Sequence, residues 1–291
     1  MGNKLTIIIP AYNEERSLKE LMPQLLSFCA SNNFRLIVVN DGSKDSTKSI
    51  LDTYTEYSFF KAVHHKVNRG YGGAIKSGVE LVETDYLITI DADGQHDLRD
   101  VLRMYRYLEE KDADMVVGQR DGKGSSAYRN FGKMLIRMLA RILMPIHIHD
   151  INSGIKIYSS ALAKKYLPLC PDSMAYSDVI TLVFISQRHM VLEVPVNILE
   201  RKSGESTIST RTAFQTVLEI VNILMLFNPL KVFLPLSVLS MIAGLAWGLQ
   251  FILANKGLSP GALLAFVVGV FFLLLGLLAE QLSYIRKNQL R

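Results

Sequence analysis

Asp85-Tyr86-Leu87-Ile88-Thr89-Ile90-Asp91-Ala92-Asp93-Gly94-Gln95 runs from a short apolar stretch straight into two carboxylates. An apolar run of this length, bounded by turn residues, reads as a buried β-strand. Similar runs recur at Leu5–Pro10, Arg35–Asn40, Phe59–His65 and Asp114–Gly118, with helix-period segments between them. Strands alternating with helices predict an α/β domain on a mostly parallel sheet, covered by helices on both faces. Ligands of such sheets bind beyond the carboxyl ends of the strands. Here those ends are polar: Pro10-Ala11-Tyr12-Asn13-Glu14 after the first strand, Asn40-Asp41-Gly42-Ser43 after the second, Asp91-Ala92-Asp93-Gly94-Gln95 after the fourth.

Asp91 and Asp93 are the sharpest of these features. Carboxylates two apart at a strand end can both reach a hard cation, which prefers oxygen ligands and bridges diphosphate oxygens. A lone Asp-x-Asp is commonly a solvated turn; its place beside two other polar strand ends favours the cation. No G-x-G-x-x-G follows the first strand, which disfavours a dinucleotide cofactor, and no Walker A pattern occurs. The glycine-rich Asn68-Arg69-Gly70-Tyr71-Gly72-Gly73-Ala74 lacks the dinucleotide spacing and reads equally as a plain turn.

Hydrophobic residues are 49% of the 291 positions, unevenly spread. Between Val232 and Ala279 the single charged residue is Lys256. Val232–Ala254 would reach about 35 Å as a helix, enough to cross the hydrocarbon core of a bilayer. Asn255–Gly261 is a turn-rich break, and Ala262–Ala279 is a second apolar run. The expected organisation is the α/β domain over 1–210, a juxtamembrane amphipathic helix over 211–230, and a transmembrane hairpin over 231–291 with spans near 232–254 and 262–282. Arg211, Lys231, Arg286, Lys287 and Arg291 flank the outer ends of the hairpin, so the positive-inside rule places the large domain in the cytosol of a bacterial-type plasma membrane. The chain enters a strand almost at once, and no cleavable signal peptide is expected. Cys29 and Cys170 have no metal-like spacing and read as reduced, buried thiols.

Two other stretches suit a lipid surface. In Tyr128–Pro145, Arg129, Lys133, Arg137 and Arg141 recur at four-residue spacing beside an apolar face. An ordinary core-facing helix with a solvated back fits that pattern equally. Thr212–Phe227 keeps Thr212, Gln215, Glu219 and Asn222 on one side, and its place next to the hairpin favours the interface. A net charge of +5 is modest and does not point to nucleic acid.

Ile9–Glu15 (IPAYNEE), Val38–Ser43 (VVNDGS), Asn68–Ala74 (NRGYGGA), Asp91–Asp97 (DADGQHD), Gly118–Arg120 (GQR) and Asp150–Lys156 (DINSGIK) stand in the order seen in family 2 glycosyltransferases. They resemble the branch holding dolichol-phosphate mannose synthase and bacterial polyprenyl-phosphate glycosyltransferases, and the double-span tail resembles the bacterial members. The resemblance implies a GT-A (Rossmann-like) fold in which Pro10, Tyr12, Glu14, Val39, Asp41 and Ala92 hold the nucleoside. It implies Mg²⁺ or Mn²⁺ on Asp91, Asp93 and Gln95. It also implies phosphate contacts, to donor or lipid, from Arg120, Arg129, Arg201 and Lys156. Lys156 stands where relatives often have Arg, replacing a planar fork by a point charge, and Thr207 stands where they often have Lys.

The reaction this implies is an inverting transfer from a UDP- or GDP-linked sugar to undecaprenyl or dolichyl phosphate. A phosphate monoester, with its second pKa near ~6, is largely dianionic at neutral pH and needs orienting more than deprotonating. Arg120 and Arg129 suit a bidentate clamp, and Asp150 suits orientation of the acceptor or sugar. The hairpin is compatible with a homo-oligomer. A processive polysaccharide synthase is disfavoured, because its Q-x-x-R-W motif is missing and the single tryptophan, Trp247, lies in the first span. A catalytically silent lipid- or partner-binding protein is the alternative from another class, and the intact strand-end acids argue against it. A transporter subunit is disfavoured by two spans without intramembrane charge.

Overall fold

The computed structural model describes residues 4–120, 148–151, 153–197, 225–226 and 228–288. The expected helices over Tyr128–Pro145 and Thr212–Phe227, and the candidate phosphate ligands Arg129 and Arg201, lie essentially outside these residues. So does Thr207. The chain forms two compact units, one within Met1–Ala127 and Ile146–Thr207, the other including Ile208–Arg291.

In the first unit the strands are β1 (Leu5–Ala11), β2 (Arg35–Asn40), β3 (Phe60–His64), β4 (Tyr86–Thr89), β5 (Met115–Arg120), β6 (Lys156–Ser159) and β7 (Val191–Val196). They make one seven-stranded sheet in the order β3-β2-β1-β4-β6-β5-β7. Every pairing is parallel except those of β6, which runs antiparallel between β4 and β5. All seven residues of β1 are buried, as befits a central strand covered on both faces. Ile7 and Ile9 point to the core shared with α1 (Glu15–Asn32) and α4 (Leu98–Lys111). Ile8 meets α3 (Tyr71–Glu80), where a Cβ on Gly78 would come within 2.7 Å of its Cγ2.

The helices follow their sequence signals. In α1, Leu18, Leu21, Met22, Leu25, Leu26 and Cys29 fall on one buried stripe. Asn33 ends the helix in the left-handed conformation, φ 54. Asp97 caps α4, accepting from Arg99 N at 2.9 Å. The short α2 (Thr47–Asp52), α5 (Ser160–Tyr166) and α6 (Tyr176–Ser186) complete the unit. Cys29 and Cys170 are buried free thiols, and burial pushes the Cys29 thiol up to about 12.

The second unit is a helix pair, α7 (Leu230–Leu253) and α8 (Pro260–Asn288). Both are long and apolar enough to cross a membrane. Large apolar side chains cover their outer faces, with Leu239 68% and Phe271 62% exposed, a surface suited to lipid rather than water. Their contact uses small residues. Gly269 lies against the Ser237 carbonyl and Met241, and Ser240 Oγ donates to the Ala265 carbonyl at 2.7 Å.

The glycine-rich stretch after β3 has a packing role. A Cβ at Gly72 would lie 2.3 Å from Pro171 O and 2.8 Å from Ser173 O. Backbone cannot yield there as a flexible side chain would. Gly72→Ala is therefore expected to destabilise the first unit by about 1–3 kcal/mol, the usual cost of overpacking. Denaturant unfolding of the purified protein checks this, and an unchanged midpoint would count against the close approach.

Candidate active site

Three adjacent parallel strands, β2, β1 and β4, end side by side, so residues far apart in sequence converge at their carboxyl ends. A cavity of ≈ 480 Å³ opens there. Of the residues singled out by sequence, Pro10, Tyr12, Glu14, Asp41, Asp91, Ala92 and Asp93 line it. Asn68, Tyr71 and Met174 join them. Val39 lies beneath, fully buried in β2, and Gln95 sits on the turn without lining the cavity.

Asp41 is 3% exposed. Its Oδ1 accepts from Arg69 N at 2.8 Å and contacts His65 Nδ1 at 2.6 Å; its Oδ2 accepts from Gly70 N at 2.8 Å. His65 continues to Ser77 Oγ, 2.9 Å from Nε2. The carboxylate thus fixes the loop that carries Asn68 and Tyr71. Glu14 is oriented by Ser17, whose hydroxyl donates to Oε2 at 2.8 Å.

Asp91 stands two residues beyond the end of β4. Tyr71 Oη donates to its Oδ1 at 3.1 Å, and His96 Nε2 lies 3.4 Å from its Oδ2. Burial raises the Asp91 carboxyl, yet the His96 contact, the Tyr71 hydroxyl and the Arg120 charge together leave it below the usual carboxylate range. Burial, with Asp91 alongside, pushes the Tyr71 phenol well above its ordinary value; it donates a hydrogen bond and is no proton source near neutrality. Gly154 closes over the carboxylate, since a Cβ there would lie 2.4 Å from Asp91 Oδ2. Asp93 Oδ1 accepts from Gln95 N at 3.1 Å.

The donor set suits a hard cation of the kind that keeps most of its ligands from water and substrate. Asp91 and Asp93 supply carboxylate oxygens in one wall, and among the described residues no three His, Cys, Asp or Glu side chains form a protein cage. A cation here would take its remaining ligands from water and from a bound anionic substrate.

Arg120, at the end of β5, holds Asp150 in a two-pronged pair, Nε–Oδ2 2.7 Å and Nη2–Oδ1 3.0 Å. Asp150 is anchored in turn by its own N–H on Glu193 Oε1 at 2.7 Å. Burial would raise the Asp150 carboxyl, but Arg120 overrides it and holds the group below the ordinary range. Lys156 is placed otherwise than the phosphate role requires. It is 1% exposed in β6, and its ammonium is enclosed by Ile151 and Ser177. Burial pulls that amine down to about 7.

His65, His96, Met174 and Gly154 had no role assigned from the sequence, although His96 and Gly154 lie within the Asp91–Asp97 and Asp150–Lys156 motifs. The two histidines could have been sought as polar side chains beside strand-end acids. Met174 had no local signal, because the segment that brings it to the cavity is anchored a hundred residues away, on α3.

A mixed sheet with one antiparallel strand, helices on both faces and acids beyond the carboxyl ends defines the GT-A class of glycosyltransferases. Residues 6–167, more than half of the chain, match Glycosyl transferase family 2, and the protein belongs to that family. Residues 228–285 match the GtrB C-terminal hairpin, making this a membrane-anchored glycosyltransferase. The chain is 26% identical over 295 residues to an undecaprenyl-phosphate 4-deoxy-4-formamido-L-arabinose transferase of Edwardsiella ictaluri, covering 97% of this chain and 89% of that protein. A protein of the same name from Shewanella sediminis is 28% identical, with 97% and 87% covered. Among solved structures, Mycobacterium tuberculosis glucosyl-3-phosphoglycerate synthase, crystallised with Mn²⁺, UDP-glucose and phosphoglyceric acid, superposes with a TM-score of 0.60 at 17% identity, covering 76% of this chain and 80% of that one. S. aureus TarS 1–349 in complex with UDP-GlcNAc gives 0.56 at 18%, covering 76% and 66%. At these identities the likeness is one of fold.

The Arg120–Asp150 pair carries a pH signature. Its depressed carboxyl contributes stability that is present above the unfolded value of about 3.9 and lost as pH falls through the lower folded value. Asp150→Asn should therefore melt below wild type at pH 7, with the gap closing toward pH 3. A gap that widens in acid would contradict the pairing.

Proposed function

We propose that this protein transfers a sugar, with inversion, from a UDP- or GDP-linked donor to a polyprenyl phosphate at the cytosolic membrane face. The observation that carries the reading is the cavity beyond β1, β2 and β4, with Asp91 and Asp93 in its wall, in a chain that also bears the membrane hairpin. Its relatives over nearly the whole chain are named for transfer involving undecaprenyl phosphate. The basic residues Lys231 and Arg286 near the outer ends of the hairpin support the cytosolic side for the large unit.

The nucleoside sits between Tyr12 and the Asp41 loop in this proposal. A carboxylate offers about four lone-pair sites. Three of Asp41 are engaged by Arg69 N, Gly70 N and His65, leaving one to accept an N–H from a base. Uracil and guanine both present such an N–H. Asp91 and Asp93 would hold Mg²⁺ or Mn²⁺ through carboxylate oxygens. Such a cation supplies Lewis-acid stabilisation of the departing nucleoside diphosphate. Tyr71 and His96 keep Asp91 ionised and aimed, while Arg120, steadied by Asp150, presents positive charge toward the phosphate groups. The dianionic acceptor needs no general base, so orientation and charge carry most of the rate.

Full-length protein in detergent, supplied with undecaprenyl phosphate, Mn²⁺ or Mg²⁺ and a panel of radiolabelled nucleotide sugars, should give metal-dependent label in the organic phase from one donor. Asp93→Asn should cut that transfer by about 100-fold or more, the scale of losing one preorganised electrostatic contact, while nucleotide without metal still binds. Full activity in Asp93→Asn would remove the cation assignment. No lipid-linked label from any donor, despite nucleotide binding, would favour the silent binding protein.

A further inference from the structure

Lys156 is a charged side chain in the sheet interior that the proposed reaction does not use directly. In the register of β6 it lies opposite Thr89 of β4 and Val117 of β5, with 1% exposure. Its Nζ donates to Ile151 O at 2.6 Å, to Ser177 Oγ at 2.6 Å, and to Ser177 O. The Ser177 hydroxyl gives its own proton to Ser153 O at 2.7 Å, so toward the lysine it can only accept. Two carbonyls and one committed hydroxyl match the three N–H groups of an ammonium, one more than a neutral amine has. Burial and the Arg120 guanidinium work against that charge, and the carboxylates of Asp178, Asp150 and Asp91 work for it.

A buried charge is a costly way to fill a sheet, because an apolar side chain of similar volume would pack as well. What the charge secures is the 150–154 segment. Lys156 ties Ile151 O, Ser177 ties Ser153 O, and Thr89 Oγ1 ties Gly154 O at 3.0 Å. The same segment carries Asp150 to Arg120, and brings Gly154 so near Asp91 that no Cβ fits between them. We infer that Lys156 is a positioning residue that clamps this segment, and through it sets the placement of Asp91 and of the Arg120–Asp150 pair. The inference rests on the transfer reaction proposed above for its kinetic consequence, and on geometry alone for the clamp.

Lys156→Met keeps the length and apolar stem while removing the donors. In full-length protein in detergent, it should lower kcat by about 100-fold, the cost of a misplacement near 1 Å. The donor Kd should change by less than about threefold, as for an interaction that serves the transition state rather than binding. Hydrogen exchange should quicken by about tenfold in a peptide spanning 150–156 and stay unchanged in β1 and β2. If Lys156→Met does not fold, Ser177→Ala removes one acceptor and the Ser153 tie, and should show the same pattern more weakly. Wild-type kcat with unchanged exchange in either folded variant overturns the inference. So does a uniform loss of melting temperature, donor affinity and protection across the unit, which would make the lysine a folding residue only. Should the wild type transfer no sugar to any acceptor lipid, the reaction is refuted, and the exchange comparison alone upholds or overturns the clamp.

Discussion

The Asp91 carboxylate stands at the end of a buried central strand, and three separate segments are shaped to receive it. Tyr71 arrives from the start of α3, His96 from the turn that follows Asp93, and Gly154 from the approach to β6. Each arrival has its own structural requirement. Tyr71 is placed by a loop whose amides bind Asp41, and Gly72 lets α3 settle against the 171–173 backbone. Gly154 is placed by carbonyl ties running back to Lys156, Ser177 and Thr89. An ionised group in this position would otherwise be pushed toward neutrality by burial. The surrounding donors reverse that tendency, and much of the local sequence serves them.

The antiparallel β6 has a consequence for the site that a purely parallel sheet would lack. Because it runs against β4, its amino-terminal end lies beside the carboxyl end of β4, with Lys156 opposite Thr89. The segment leading into β6 therefore arrives at the same edge as Asp91. A parallel strand would reach that edge only at its own far end. One reversed strand thus brings Asp150, Ser153 and Gly154 to the edge that holds Asp91.

The five parallel strands expected from sequence are all present: β2 matches its apolar run at both ends, β1, β3 and β5 differ from theirs by one or two residues in length, and β4 is three residues shorter. Their signal was strong because strands buried on both faces read as continuous apolar stretches. β6 and β7 were not expected. β6 is four residues long and starts with a charged lysine, and β7 contains Glu193 and Pro195, which break the apolar pattern. The strand-end residues were legible as polar interruptions, and the family resemblance supplied their roles. Val39 shows the boundary of that transfer, since a motif position next to the site proves to be sheet interior. Lys156 shows it more sharply. The resemblance implied a phosphate contact, but the lysine's partners are two carbonyls and a hydroxyl that only the folded chain assembles. Contacts spanning from five to about a hundred residues, such as Lys156 with Ser177 or Lys76 with Asp172, leave no periodic trace.

The charge on the cavity wall bears on how an anionic donor can bind at all. Glu14, Asp41, Asp91 and Asp93 line it, and no lysine or arginine is among the described lining residues. A nucleoside diphosphate entering such a space meets like charge on several sides, at an unfavourable energy in a partly enclosed site. Asp41 is turned away in part, because two amides and His65 already occupy its oxygens. Arg120 lends positive charge from the side but is itself matched by Asp150. A divalent cation already on the donor phosphates, as in the proposed reaction, would offset that repulsion. In the proposed reaction Asp91 and Asp93 would therefore do more than hold a cation: they would also disfavour donor without one.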